Sequence, residues 1–216
     1  MAPFPPHLIA GYRTFTTQRL PAEQSRYREL SVRGQSPEVM VIGCCDSRVS
    51  PEVIFDAGPG ELFVVRNIAN LVPVYAPDGG AHGVSAALEF AVQVLRVKHI
   101  VVLGHAQCGG IRAFIDKIEP LSPGDFIGRW MSMFIKPGET VEQRPHETML
   151  DFATRIEKAA VFRSLENLMT FPCVRILVER GKLQLHGAYF GVAEGSLFVL
   201  DQEAREFRSA REVMTG

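Results

Sequence analysis

Three residues able to bind a soft metal stand at two places along this chain. Cys44 opens Cys44-Cys45-Asp46-Ser47-Arg48, and His105 and Cys108 bracket His105-Ala106-Gln107-Cys108. Two thiolates and one imidazole leave a tetrahedral zinc one exchangeable position, the pattern of a catalytic rather than a structural site. The thiolates also cancel the charge of the ion, so such a zinc is a weaker Lewis acid than one held by three imidazoles. Its water needs help to fall from a pKa of about 15.7 toward about 7. Asp46 and Arg48 are suited to give that help. Two residues apart, they share one side of an extended segment, and Arg48 can fork onto the carboxylate and keep it ionised. The free Asp46 oxygen then accepts a hydrogen bond from zinc-bound water or hydroxide and aims its lone pair. If Arg48 let go, Asp46 could become a fourth zinc ligand, giving a closed state controlled by pH. The structural competitor is a four-ligand zinc closed by Cys45 or Asp46; otherwise Cys45 and Cys173 read as small buried hydrophobes.

The elements around these residues give them a common place. Val39 to Gly43 is a short apolar run leading into Cys44, and His99 to Gly104 leads into His105. Both read as β-strands, and ligands bind at the carboxyl ends of strands in a parallel α/β sheet. Glu61 to Val65 reads as another strand. Val84, Ala87, Leu88, Ala91, Val92 and Leu95 mark one helical face. Gly109-Gly110 opens a helix expected to run through Ile118, and a short helix is expected around Trp130 between Pro120 and Gly138. A longer helix is expected from about Arg144 to Leu168. Cys173 to Val178 reads as a fourth strand, with Leu183 to Ala188 and Leu197 to Leu200 as a hairpin continuing the sheet. This alternation predicts an α/β fold with a mainly parallel central sheet flanked by helices. Residues 1–34 stand apart as an N-terminal helical arm on a core of residues 35–216. In the arm, Leu8, Ile9, Tyr12 and Phe15 fall at helical spacing, Leu20-Pro21 punctuates, and a polar helix follows from Ala22 to about Arg33.

The bulk properties narrow the function. The chain has 216 residues, 46% of them hydrophobic and 22% charged, enough for one domain with a proper core. A net charge of -1 offers no electrostatic reason for nucleic acid or an anionic membrane as partner. No window approaches the roughly 18 apolar residues a membrane span needs, and the start, with Pro3, Pro5 and Pro6, lacks the pattern of a signal peptide. Four cysteines in such a chain are not a disulfide framework. The expected location is the cytoplasm, with thiols free for metal.

Taken together, Cys44-Cys45-Asp46-Ser47-Arg48, Val65-Arg66-Asn67-Ile68-Ala69-Asn70 and Gly104-His105-Ala106-Gln107-Cys108-Gly109-Gly110 resemble the β-class carbonic anhydrases. The resemblance is strong from about Gln35 to Ile111 and continues more weakly to Leu200. It implies that Cys44, not Cys45, takes the first ligand position of one zinc per chain. It implies reversible hydration of carbon dioxide to bicarbonate and a proton, by attack of zinc-bound hydroxide oriented by the Asp46–Arg48 dyad. It further implies a substrate pocket of Gln35, Phe63, Ile68, Phe90 and the backbone amide of Gly109. By the same resemblance the arm wraps a second chain, pocket walls are shared between subunits, and the assembly is a homodimer or homotetramer. Members with an inhibitory bicarbonate pocket carry Trp where this chain has Val41, so no such switch is expected here, although Arg66 is present. His82 is a candidate proton shuttle, ahead of His146 and His186. Two alternatives use the same residues: hydrolysis of carbon disulfide or carbonyl sulfide, and a non-catalytic structural zinc.

Overall fold

A computed structural model describes residues 3–117, 124–135 and 140–213. The chain begins with α1 (Pro6–Thr14) and α2 (Leu20–Arg33), joined by one π-helical segment, Phe15–Arg19. Leu20-Pro21 therefore does not break the arm. Proline lacks an N–H, but the first turn of a helix needs none from it, and Pro21 sits at the second position of α2, after the π-helical segment. The arm buries none of its residues.

β1 (Val39–Cys44), α3 (Pro51–Ile54) and β2 (Leu62–Asn67) follow, then α4 (Gly83–Glu89), which runs into a π-helical segment at Phe90–Leu95. Next come β3 (His99–His105), α5 (Gly109–Ile115), α6 (Phe126–Ser132), α7 (Met149–Leu168) and α8 (Pro172–Glu179). β4 (Gln184–Gly191), β5 (Ser196–Asp201), β6 (Glu206–Ser209) and α9 (Ala210–Val213) complete the described chain. α5 stops at Ile115, short of the expected Ile118, because Lys117 turns left-handed at φ 49°. Residues 118–123 and 136–139, which include Pro120 and Gly138, lie outside the described residues.

The sheet runs β2-β1-β3-β4-β5-β6. β2, β1, β3 and β4 are parallel, and β5 and β6 extend the sheet antiparallel. The mainly parallel sheet flanked by helices is therefore as expected. One predicted strand is not a strand: Cys173 to Val178 lies in α8. Pro172 sits at its first position, and Val174, Leu177 and Val178 pack on the core at helical spacing. α7 starts at Met149 instead of about Arg144, because the Thr148 hydroxyl caps it by accepting the Asp151 N–H at 3.1 Å. The central strands are buried on both sides, Met40, Val41, Ile42, Ile100, Val102 and Leu103 being at most 1% exposed. Such two-sided burial requires helices on both faces.

Candidate metal centre

β1 and β3 pair in parallel with Gly43 opposite Leu103. The register therefore brings Cys44 and His105 off the same carboxyl edge, and the turn after β3 returns Cys108 to it. Candidate ligand atoms of Cys44, His105 and Cys108 all lie within 4.8 Å of one another, and all three residues are buried. The two sulfurs are 4.0 Å apart. Two zinc–sulfur bonds of about 2.3 Å at a tetrahedral angle would put them about 3.8 Å apart. His105 Nδ1 is 2.9 Å from the Ala106 carbonyl, to which it can donate its proton. That bond leaves Nε2 as the acceptor, and Nε2 is buried with no hydrogen-bond partner. A buried acceptor without a partner is costly unless an ion completes it. The residues fit a zinc ion. The hydrogen bond between the two thiols lowers the pKa of Cys44 against its burial and, with burial, raises that of Cys108.

Beside this cluster Asp46 is gripped by Arg48. Oδ1 accepts Arg48 Nε at 2.9 Å and the Arg48 backbone N–H at 3.0 Å, and Oδ2 accepts Nη2 at 2.7 Å. The pair forms in a turn, not the extended segment expected, with the Val49 N–H closing onto the Asp46 carbonyl at 3.1 Å. The Arg48 hydrogen bonds, against some burial, hold the Asp46 carboxyl well below the usual carboxylate range. Arg66 fixes the backbone of the same loop, donating from Nε to the Cys44 carbonyl at 2.7 Å and from Nη2 to the Asp46 carbonyl at 2.6 Å.

The carbonic anhydrase family model matches residues 39–197. The chain belongs to the β-class carbonic anhydrases. It is 36% identical to a carbonic anhydrase of Pseudomonas aeruginosa over 95% of this chain and 91% of that one. It is 35% identical to carbonic anhydrase 1 of Escherichia coli O157:H7, over 93% and 90% of the two chains. Among solved structures, the β-carbonic anhydrase CcaA superposes with a TM-score of 0.84 at 27% identity, covering 94% of this chain and 90% of that one. A tetrameric β-carbonic anhydrase of Sordaria macrospora superposes at 0.73 and 26% identity, over 90% and 95%. As a carbonic anhydrase the chain is a lyase acting on a small molecule.

Within one carbonic anhydrase chain the expected pocket residues fall into two groups. Ile68 and Gly109 stand at the metal edge. Gly110, next to Gly109, has no room for a Cβ, which would lie 2.5 Å from Ile68 Cγ2. Ile68 follows β2 directly, and its carbonyl accepts the Trp130 indole N–H at 2.8 Å. Gln35, Phe63 and Phe90 stand at the other edge. Phe63 pairs with Met40, four residues and about 13 Å short of the Cys44–Asn67 pair at about 3.3 Å per residue. The Phe90 ring lies 5.9 Å from that of Phe63. Gln35 is exposed just past the end of α2, whose Leu30 packs at Gly60 before β2 begins.

Cys45 is exposed, not buried, because side chains alternate past Cys44 and turn it outward. It lines a cavity of about 770 Å³ with Ile68, Trp130 and His82. Cys173 is partly buried against the core. His82 Nε2 is 2.6 Å from Asp78 Oδ1. His186 instead pairs with His99 at 3.1 Å, and His146 is exposed on a left-handed backbone. Two residues of the site escape sequence reasoning. Trp130 reaches Ile68 across 62 positions, which no local pattern reports. Glu157 had a readable signal: it shares a helical face with Ala160, Val161 and Ser164, all buried.

Proposed function

We propose that this chain catalyses the reversible hydration of carbon dioxide at a zinc ion held by Cys44, His105 and Cys108, with Asp46 and Arg48 as catalytic dyad. The observation that carries the reading is two thiols and an unpartnered imidazole nitrogen converging within 4.8 Å. When bound, zinc supplies the acidity that brings water toward a pKa of about 7. The chain's own residues do the rest. Asp46, kept ionised by Arg48, retains lone pairs beyond those the guanidinium occupies. One of them accepts a hydrogen bond from the attacking oxygen and directs its free pair at the substrate carbon. The Gly109 N–H, at the first turn of α5 and so free of intrahelical bonding, donates to a substrate oxygen. Ile68 forms an apolar wall.

Gln35, Phe63 and Phe90 complete the pocket from a partner subunit, since one chain carries them at the opposite sheet edge. The exposed arm supports such an assembly, with Leu8 at 50%, Ile9 at 42% and Tyr12 at 64% exposure. The Sordaria relative is tetrameric, and this chain forms a homodimer or homotetramer. No helix among the described residues is long and apolar enough to cross a membrane. The cysteines are all free, which supports a reducing cytoplasm as the working compartment.

The test is stopped-flow hydration of carbon dioxide from about pH 6.5 to about pH 9, bracketing a zinc–water pKa near 7, after zinc analysis of the protein. Fast turnover with about one zinc per chain is expected. Zinc without hydration at any pH refutes the reading.

A further inference from the structure

Glu157 lies on α7, is 3% exposed, and has no part in the chemistry above. A buried carboxylate is unfavourable unless its oxygens are satisfied. Here both are. Oε1 accepts the Cys108 backbone N–H at 2.9 Å, and Oε2 accepts the Tyr189 hydroxyl at 2.6 Å. Tyr189 stands on β4, paired with Gly104 of β3. A Cβ at Gly104 would lie 2.7 Å from Val161 Cγ2 of α7 and 3.7 Å from the Glu157 carbonyl oxygen. That close approach sets Glu157 under the turn that carries Cys108.

The Cys108 N–H and the Gln107 carbonyl belong to one peptide unit. The carbonyl end accepts Arg48 Nη2 at 3.0 Å, while the N–H end is held by Glu157. Gln107 itself is left-handed, with φ 55°, a conformation an L residue keeps only where its surroundings enforce it. Both neighbours of this peptide do chemistry: Cys108 belongs to the metal cluster, and Arg48 orients Asp46.

We propose that Glu157, itself held by Tyr189, is a positioning residue that clamps the Gln107–Cys108 peptide, so that one group aligns the Cys108 thiolate with the metal and the Gln107 carbonyl with Arg48. The inference rests on the zinc reading above. Groups that orient a metal ligand commonly change metal affinity or activity by about 10- to 100-fold when lost.

The test compares zinc-loaded wild type with E157L, E157D and E157Q. E157L removes the acceptor. E157D keeps the charge but retracts it by one methylene from the Cys108 N–H. E157Q keeps an oxygen for that N–H while the Tyr189 hydroxyl turns to accept from the amide. Zinc release to excess chelator should be about 10- to 100-fold faster in E157L and E157D. Their cobalt-substituted forms should show a displaced thiolate-to-metal band, and kcat should fall more than KM rises. E157Q should keep the wild-type band and release rate. A purely structural Glu157 would lower the melting temperature without moving the band or the release rate. A wild-type band and release rate in folded E157L or E157D therefore overturn the clamp, and E157D decides alone if E157L does not fold. Wild type that takes up no zinc refutes the zinc reading separately. The clamp is then judged by amide exchange at Cys108, which should speed up in E157D, and unchanged exchange overturns it.

Discussion

If Asp46 orients the attacking oxygen as proposed, Asp46→Asn separates that role from metal binding, because it preserves shape and removes charge. In the wild type Oδ1 takes two Arg48 donors and Oδ2 takes one. An asparagine offers one oxygen and one NH2, so the amide oxygen settles where two donors converge and the NH2 faces Arg48 Nη2. That contact is lost, and the position left for the attacking oxygen becomes a donor where an anionic acceptor stood. Losing a positioned proton-handling group lowers rates by about 10²- to 10⁴-fold. The Arg48 side chain is 44% exposed, so water partly substitutes and the low end applies. We expect kcat in stopped-flow hydration to fall about 100-fold. Zinc content should be unchanged, because Asp46 is not in the metal cluster. Loss of zinc, or a kcat within about tenfold of wild type, would refute the assigned role. The pH dependence adds a second check. The folded-state pKa of Asp46 is depressed, chiefly by the Arg48 hydrogen bond. Its stabilisation is therefore complete above the unfolded value of about 3.9 and is lost as pH falls below it. Chemical denaturation should show the wild type more stable than D46N at neutral pH and the two converging in strong acid.

Three further outcomes follow from the same contacts. Cys44→Ala should abolish zinc retention and hydration together, since it removes one of three clustered ligands, and metal analysis after gel filtration checks it. Gly110→Ala places a Cβ 2.5 Å from Ile68 Cγ2, an overpacking of about 1 to 3 kcal/mol. Better helix propensity in α5 offsets about 1 kcal/mol of that. A net loss of about 1 kcal/mol should lower the melting temperature by about 2 to 4 °C. Leu8→Asp combined with Tyr12→Asp charges the exposed arm. Sedimentation should show a smaller species and hydration should fall with it; an unchanged assembly at full rate would show that the arm does not hold the partner.

What the sequence discloses and what it hides divide along physical lines. β1 and β3 are legible because two-sided burial demands unbroken apolar runs, and Cys44 and His105 are legible because they end those runs. Cys173 to Val178 misleads because its β-branched residues imitate a buried strand, while the helix rests on Pro172 and on the 174, 177, 178 spacing. β6 escapes as a four-residue edge strand in which Phe207 is the only large apolar residue. The turn at Ile68–Asn70 is hidden for another reason. Ala69 and Asn70 take φ values of 61° and 48°, and while asparagine tolerates a left-handed backbone, nothing about Ala69 announces one. Long-range bonds hold it there: the Ser164 hydroxyl donates to the Asn70 carbonyl at 3.0 Å, and Trp130 donates to Ile68.

Those bonds explain how a site of exchangeable parts stays rigid. Parallel register delivers Cys44 and His105 to one edge but fixes neither the loop after β1 nor the turn after β3. Each is fixed by a buried or half-buried charge acting on backbone: Arg66 holds the Cys44 and Asp46 carbonyls, and Glu157 holds the Cys108 N–H. Arg48 then joins the two loops, bonded to Asp46 on one and to the Gln107 carbonyl on the other. A charge aimed at a peptide group is satisfied only in one geometry, whereas an apolar contact tolerates sliding. On the proposed reading the metal ligands and the orienting carboxylate need that constraint, because displacement of about 1 Å can cost about 100-fold in rate. The three charges therefore do for the loops what the register does for the strands.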